Sequence, residues 1–313
     1  MGERKHEKYD RLIAKAETLP PLPTAVAHPC DASSLSGALE ATEASLIRPI
    51  LIGPESRIAE VAEKLGKSLD GIEILDVPHS QAAAAKAVEI VRSGRAEVLM
   101  KGSLHTDELL SEVTKRDTGL RTGRRISHVF IMDVPDHPQT LFITDAAVNI
   151  FPDLMAKRDI VQNAIDLFAG LGLGVPKVAI LSAVETVTVS IPSTIEAAAL
   201  CKMADRGQIS GGVLDGPLAF DNAISPEAAR IKGIKSEVAG QAQILVVPDL
   251  EAGNMLAKNL TFLSHADAAG IVLGARVPIV LTSRADSVRT RLASCAVAVV
   301  FAFNQRVTSP VRS

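Results

Sequence analysis

The 313-residue chain has no tryptophan and one tyrosine, and its 33 lysines and arginines form no basic run. With a net charge of -3 and a pI near 6.2, it lacks both the electrostatic footprint and the stacking platform of a nucleic-acid binder, so no nucleic-acid partner is expected. Cysteine is scarce. Cys30, Cys201 and Cys295 lie far apart, without a C-x-x-C pair or a histidine at zinc spacing. A disulfide framework and a structural metal site are therefore disfavoured, and buried free thiols are expected. Long apolar runs are also missing: the longest, 293–303, is interrupted by Ser294 and falls short of the ~20 residues that span a bilayer. The N-terminal segment Gly2-Glu3-Arg4-Lys5-His6-Glu7-Lys8 has no signal-peptide apolar region. A cytoplasmic protein with no membrane partner is the expectation. Walker A, G-x-S-x-G and H-E-x-x-H motifs are absent. Gly170, Gly172 and Gly174 precede an apolar run rather than follow one, which makes them a helix-to-strand turn and leaves an ordinary dinucleotide-binding fold unsupported.

The residues present are those of a globular α/β protein. Hydrophobic residues make up 47% and charged residues 22%, a balance that buries a sizeable core and argues against disorder. The length exceeds what one core usually organises, so two domains with a cleft are expected. Short branched apolar runs at 24–27, 49–52, 73–77, 97–100, 129–134, 141–144, 177–181, 243–247, 270–273 and 278–281 read as strands. Longer helical patterns lie between them, for example at 56–65, 81–91, 159–171, 193–206 and 286–302. This alternation is the signature of βα units around a parallel sheet. The first two of those helices begin beside Ser/Pro-type entry signals. The first twenty residues predict a leading amphipathic helix ended by Pro20-Pro21. Pro135-Asp136-His137-Pro138 predicts a hairpin or a change of sheet direction, and the domain change is placed near it.

Four segments carry candidate chemistry. The strand ending at Leu281 runs into Thr282-Ser283-Arg284-Ala285-Asp286-Ser287 and then a helix. Ligands of open α/β sheets bind beyond the carboxyl ends of strands, where a helix N-terminus offers unpaired N–H groups to an anion. Ser283 and Arg284 add a hydroxyl and a bidentate phosphate donor there. The same residues serve equally well as a helix cap, with Asp286 complementing the dipole. Lys101-Gly102-Ser103-Leu104-His105-Thr106-Asp107 repeats the pattern: Lys101 neutralises a phosphate, Gly102 lets a backbone approach, and His105 is a proton acceptor or a plain loop histidine. Arg124-Arg125-Ile126-Ser127-His128 is either part of a site or a solvated charge pair entering a strand. Finally, Asp215 and Asp221 bracket Gly216-Pro217, and Asp249 opens a similar stretch. Carboxylates at strand ends act as bases or ligands, but turns and caps also use them.

Taken in order, these segments, with Val238-Ala239-Gly240 and Pro248-Asp249-Leu250-Glu251-Ala252-Gly253-Asn254, resemble the phosphate acetyl/butyryl transferase family. The resemblance runs from about His28 to Ala298. It implies a three-layer αβα fold like that of isocitrate and isopropylmalate dehydrogenases, with the site in a cleft between two α/β domains. The domains are expected at 1–138 plus 285–313 and at 139–284, usually in a homodimer. The implied reaction is acyl-CoA plus phosphate giving acyl phosphate plus CoA, with no metal and no tightly bound cofactor. By the same resemblance Ser283, Arg284, Asp286 and His105 are the catalytic candidates. Lys101, Gly102, Thr106, Arg125, Ser127, Asp215, Asp221, Thr282, Ser287 and Thr290 are the substrate-binding ones.

Two departures accompany the resemblance. Thr290 stands where acetyl enzymes place an aspartate proposed to deprotonate the CoA thiol, leaving the base unassigned, and two of their arginines lack counterparts, one falling near Ser111. The segment 282–287 is closer to the butyryl branch. The expected acyl group is acetyl, with butyryl as the alternative. A metal- and NAD-dependent dehydrogenase of the same fold and a non-catalytic homologue are the remaining alternatives.

Overall fold

A computed structural model of the chain describes residues 7–135, 137–281 and 287–308. Its elements are, in order, α1 (Glu7–Glu17), β1 (Leu22–Ala27), α2 (Ala32–Glu43), β2 (Ile47–Gly53), α3 (Glu55–Leu65), β3 (Glu73–Asp76), α4 (Ser80–Arg92), β4 (Val98–Lys101), α5 (Thr106–Thr114), β5 (Ser127–Asp133) and β6 (Leu141–Thr144). They continue with α6 (Leu154–Gly170), β7 (Lys177–Leu181), α7 (Pro192–Asp205), β8 (Val213–Leu218), α8 (Phe220–Ile224), α9 (Pro226–Ile231), β9 (Ile244–Val246), α10 (Leu250–Leu263), β10 (Asp267–Leu273), β11 (Ile279–Val280) and α11 (Val288–Thr308). The described residues form two compact units, 9–124 with 269–308, and 125–268 with Glu7 and Lys8. The sequence reading had put the changes of domain at 138/139 and 284/285; the units change at 124/125 and 268/269.

In the first unit the strands run in the order β3-β2-β1-β4-β11-β10. Parallel ladders join β3 to β2, β2 to β1, β1 to β4 and β4 to β11, and only β10 is antiparallel to its neighbour β11. The strands are apolar on both faces because helices cover both faces of a parallel sheet; Ala25, Val26, Leu51, Ile52, Leu99 and Met100 are all fully buried. The apolar run at 293–303 lies in α11, where Ala293 and the stretch from Cys295 to Ala302 are buried against α2, β4 and β11. Among the described residues no helix is long and apolar enough to cross a membrane. Gly37 of α2 leaves room for Arg291: a Cβ there would stand 2.9 Å from the Arg291 Cδ. Arg291, 8% exposed, reaches Glu40 Oε2 at 3.1 Å, as a buried cation requires.

In the second unit the order is β5-β6-β9-β7-β8. β5 and β6 form the expected hairpin, antiparallel from Val129↔Thr144 to Met132↔Leu141, and the β6–β9, β9–β7 and β7–β8 ladders are parallel. One core cluster, including Met132, Ile143, Ala179, Leu218, Leu245 and Val247, fills this unit beneath α8, α9 and α10.

Local rules account for most helix starts. Asp31, Asp153 and Asp249 cap α2, α6 and α10, each accepting a backbone N–H at 2.8 Å. The cap of α4 is the His79 ring nitrogen, accepting Ala82 N–H at 3.2 Å, while Pro54 before α3 makes no side-chain cap bond. Gly172 and Gly174, with φ of 75° and 91°, form the expected turn from α6 toward β7. β8 departs from the sequence reading: Asp215, Gly216 and Pro217 lie inside a strand, not in a turn. Gly216 is close against β7, where a Cβ would meet the Ile180 Cβ and carbonyl oxygen at 2.8 Å. Cys30 and Cys295 are buried free thiols, whereas Cys201 is only partly buried.

Candidate functional site

At the carboxyl end of β4, Lys101, Gly102, His105 and Thr106 share one short loop leading into α5. Gly102 has to be a glycine: its Cβ would lie 2.4 Å from both the Ala27 and the His28 carbonyl oxygens. That approach is fixed by Gly102 N–H donating to Ala27 O and Ser103 N–H donating to His28 O, both at 2.8 Å. Lys101 Nζ donates to the Gly102 and Leu104 carbonyls at 3.2 Å each. His105 occupies the cap position of α5 and is exposed; its N–H donates to Glu108 Oε2 at 3.0 Å. This bond, followed by one from the Ser80 hydroxyl, holds the Glu108 carboxyl below its usual range.

The sequence reading missed His28, which follows β1 and packs against this loop. It adopts φ 56°, a conformation uncommon for a residue with a side chain. Its Nδ1 lies 3.0 Å from Ser103 Oγ, and that hydroxyl also meets the His28 carbonyl at 2.9 Å and Cys30 N–H at 3.3 Å. Burial lowers the His28 pKa, and the nearby Arg57 cation lowers it further against the opposing pull of Glu108 and Asp31. The available signal was His28-Pro29-Cys30-Asp31 standing directly behind an apolar run.

β11 lies beside β4, with Val280 opposite Met100, so the strand that leads into 282–286 ends next to the Lys101 loop. Thr282, Ser283, Arg284 and Asp286 fall outside the described residues. Ser287 caps α11, its Oγ accepting Thr290 N–H at 3.1 Å and bonding the Thr290 hydroxyl at 3.1 Å. Thr290 is 6% exposed and engaged in that cap.

Arg125, Ser127, Asp215 and Asp221 belong to the second unit. Arg125 is exposed, and its Nε donates to Asn149 Oδ1 at 2.7 Å. Behind it Asn149 donates to the Ile126 carbonyl at 2.8 Å and to Asp145 Oδ2 at 2.5 Å. Asp145, missed by the sequence reading, also accepts the backbone N–H groups of Ala147, Val148 and Asn149. It orients Asn149 and through it Arg125. Ser127 is completely buried and accepts from Asn163 Nδ2 at 2.9 Å, so its hydroxyl is committed to packing. His128 is buried, edge-on to Phe130 at 4.4 Å between ring centroids. Asp215 and Asp221 each accept the next residue's backbone N–H, at 2.8 and 2.9 Å.

The family model described as "Phosphate acetyl/butaryl transferase" matches residues 79–299. The chain is 75% identical to a phosphate acetyltransferase of Rhizobium meliloti, covering 96% of this chain and 95% of the relative. It is 42% identical to a phosphate butyryltransferase of Clostridium beijerinckii over 95% of this chain and 98% of the relative. A branched-chain phosphotransacylase structure from Enterococcus faecalis superposes with a TM-score of 0.78 at 31% identity, covering 90% of this chain and 99% of that one. A phosphotransacetylase structure from Streptococcus pyogenes, 22% identical over 95% and 98% of the two chains, superposes at 0.82 and supports the fold. The match to the family model and to these near full-length relatives establishes that the chain belongs to the phosphate acetyl/butyryl transferase family.

Proposed function

We propose that the chain transfers an acetyl group between CoA and inorganic phosphate, acetyl-CoA + phosphate = acetyl phosphate + CoA. The observation that carries this reading is its near full-length likeness to the Rhizobium phosphate acetyltransferase, well above its likeness to the butyryltransferases. Acetyl-CoA, CoA, phosphate and acetyl phosphate are then its small-molecule partners.

Within this proposal Arg284 and the amino end of α11 hold the phosphate charge, with Thr282 and Ser287 beside them. Ser283 donates to the oxyanion that develops on the acetyl carbonyl, a preorganised interaction worth more than a single proton transfer. Lys101, with Gly102 and Thr106, faces a second anionic group. Arg125 presents a guanidinium held in place by Asn149 and Asp145.

The finer expectations are proposed on the same footing: an isocitrate dehydrogenase-like arrangement of two domains and a homodimer. Large apolar side chains left exposed in the second unit, Phe151, Met155, Met255 and Phe262, support self-association. Three free cysteines suit the reducing conditions of a cytoplasmic enzyme.

The test is release of CoA thiol from acetyl-CoA and from butyryl-CoA with phosphate as acceptor. Turnover with a higher kcat/KM for acetyl-CoA is expected. Well-folded protein that turns over neither overturns the proposal, and a preference for butyryl-CoA overturns the acyl assignment.

A further inference from the structure

When acetyl phosphate reacts with CoA, the thiol must lose its proton as the sulfur–carbon bond forms, so the site needs an acceptor. We propose that Nε2 of His28 is that acceptor; the proposal rests on the acyltransferase reading above.

Position comes first. His28 stands at the carboxyl end of β1, the edge of a parallel sheet where substrates bind. Its strand is the direct neighbour of β4, and β4 of β11, the strand that leads into Ser283 and Arg284. Its backbone is held in the left-handed region, a strained state that persists only where the surroundings impose it. Here the surroundings are the Gly102 approach and the two 2.8 Å backbone bonds to the Ala27 and His28 carbonyls.

The hydrogen bonds fix the tautomer. The Ser103 hydroxyl has one proton, which it gives to the His28 carbonyl, and it accepts from Cys30 N–H. The contact at 3.0 Å then requires Nδ1 to carry hydrogen and donate to Ser103 Oγ. Nε2 is left with the lone pair, and no described residue bonds to it, while the residue keeps 9% of its surface exposed. The groups facing the ring are Arg57 of α3, His79 at the cap of α4, Asp31 at the cap of α2 and Glu108 of α5. Burial and Arg57 keep the resting imidazole neutral, and Asp31 and Glu108 stabilise the imidazolium formed during the reaction. Thr290, whose hydroxyl is occupied by Ser287, has no basicity to offer.

In the proposed step the thiol proton moves to Nε2 and the sulfur bonds the acetyl carbon. The carbon–oxygen bond to phosphate breaks with its electron pair on the phosphate oxygen. The imidazolium then gives its proton to the departing phosphate.

His28→Asn is the decisive variant. Asparagine tolerates the left-handed conformation, and its amide can replace Nδ1–H toward Ser103, so the loop is kept and the base is lost. In the CoA-acetylating direction kcat at pH 7 should fall about 100-fold or more, with the KM for acetyl phosphate little changed. The deficit should narrow toward pH 9, where the thiol, with a reference pKa of about 8.5, ionises unaided. The wild-type acid limb should report a group titrating below free imidazole and should vanish in the variant. A folded His28→Asn enzyme with wild-type kcat, or with the same deficit at every pH, overturns the proposal. If the variant does not fold, a wild-type profile without that acid limb does so. An inactive wild type overturns the acyltransferase reading, and this proposal with it.

Discussion

Replacing Gly102 by alanine tests the packing on which the β4 loop depends. The added Cβ would sit 2.4 Å from the carbonyl oxygens of Ala27 and His28 and 2.6 Å from the His28 carbonyl carbon, against about 3.4 Å for ordinary contact. All three atoms are backbone, so no side chain can swing away, and β1 and β4 must part by about 1 Å. Parting them stretches the bonds from Gly102 N–H and Ser103 N–H, both 2.8 Å long. Losing two such bonds costs about 1 kcal/mol each, and overpacking adds about 1–3 kcal/mol. The expected destabilisation is therefore roughly 3–5 kcal/mol, measured by urea unfolding at neutral pH. Gly123→Ala is the control: nothing lies within 4 Å of its Cβ, and its stability should stay within about 0.5 kcal/mol of wild type. Because the same shift moves Ser103 away from His28, kcat should fall about tenfold or more in whatever Gly102→Ala protein remains folded. A Gly102→Ala protein within 1 kcal/mol of wild type would refute the claim that the close approach is rigid.

Two further predictions concern charge. Complete burial pushes the His128 pKa down to about 4, against the opposing pull of the Asp145 carboxylate. The folded state thus keeps the ring neutral while the unfolded state binds a proton below about pH 6.5. This contribution to stability is present above pH 6.5 and drains away as the pH falls toward 4. Wild type should lose on the order of 1–2 kcal/mol more than His128→Leu between pH 7.5 and pH 5; parallel stability curves for the two would sink the assignment. Arg284→Ala should reduce kcat/KM by about 100-fold or more, as expected for removal of a preorganised charge partner. Near-normal turnover of acetyl-CoA by that variant would remove Arg284 from the site.

The fold was legible wherever one residue's neighbours in sequence decide its conformation. Strand runs, the hairpin at 135–138, the leading helix and the aspartate caps all follow from local pattern, and the structure has them at those places. The failures are tertiary. Asp215-Gly216-Pro217 has the composition of a turn, yet β8 continues through it because Gly216 lets the strand lie against Ile180. The antiparallel turn of β10 onto β11 left no trace in a pattern of βα repeats, since two short apolar runs read alike in either direction.

The candidate site divides along the same line. Lys101, His105 and Arg125 stood out because they are charged or titratable residues beside a strand, a feature visible one segment at a time. His28 and Asp145 did not, because their roles depend on partners the local pattern cannot supply. His28 acquires its tautomer from Ser103, 75 residues away, and Arg125 its orientation from Asn149 and Asp145, in the loop after the next strand. Gly102 is the link between the two kinds of residue. Its lack of a side chain is a sequence fact, but its necessity comes from the carbonyls of Ala27 and His28. A glycine that immediately follows a buried strand therefore marks where another backbone must pass. The residue on that second backbone is the one to test for function, which is how the β4 loop leads to His28.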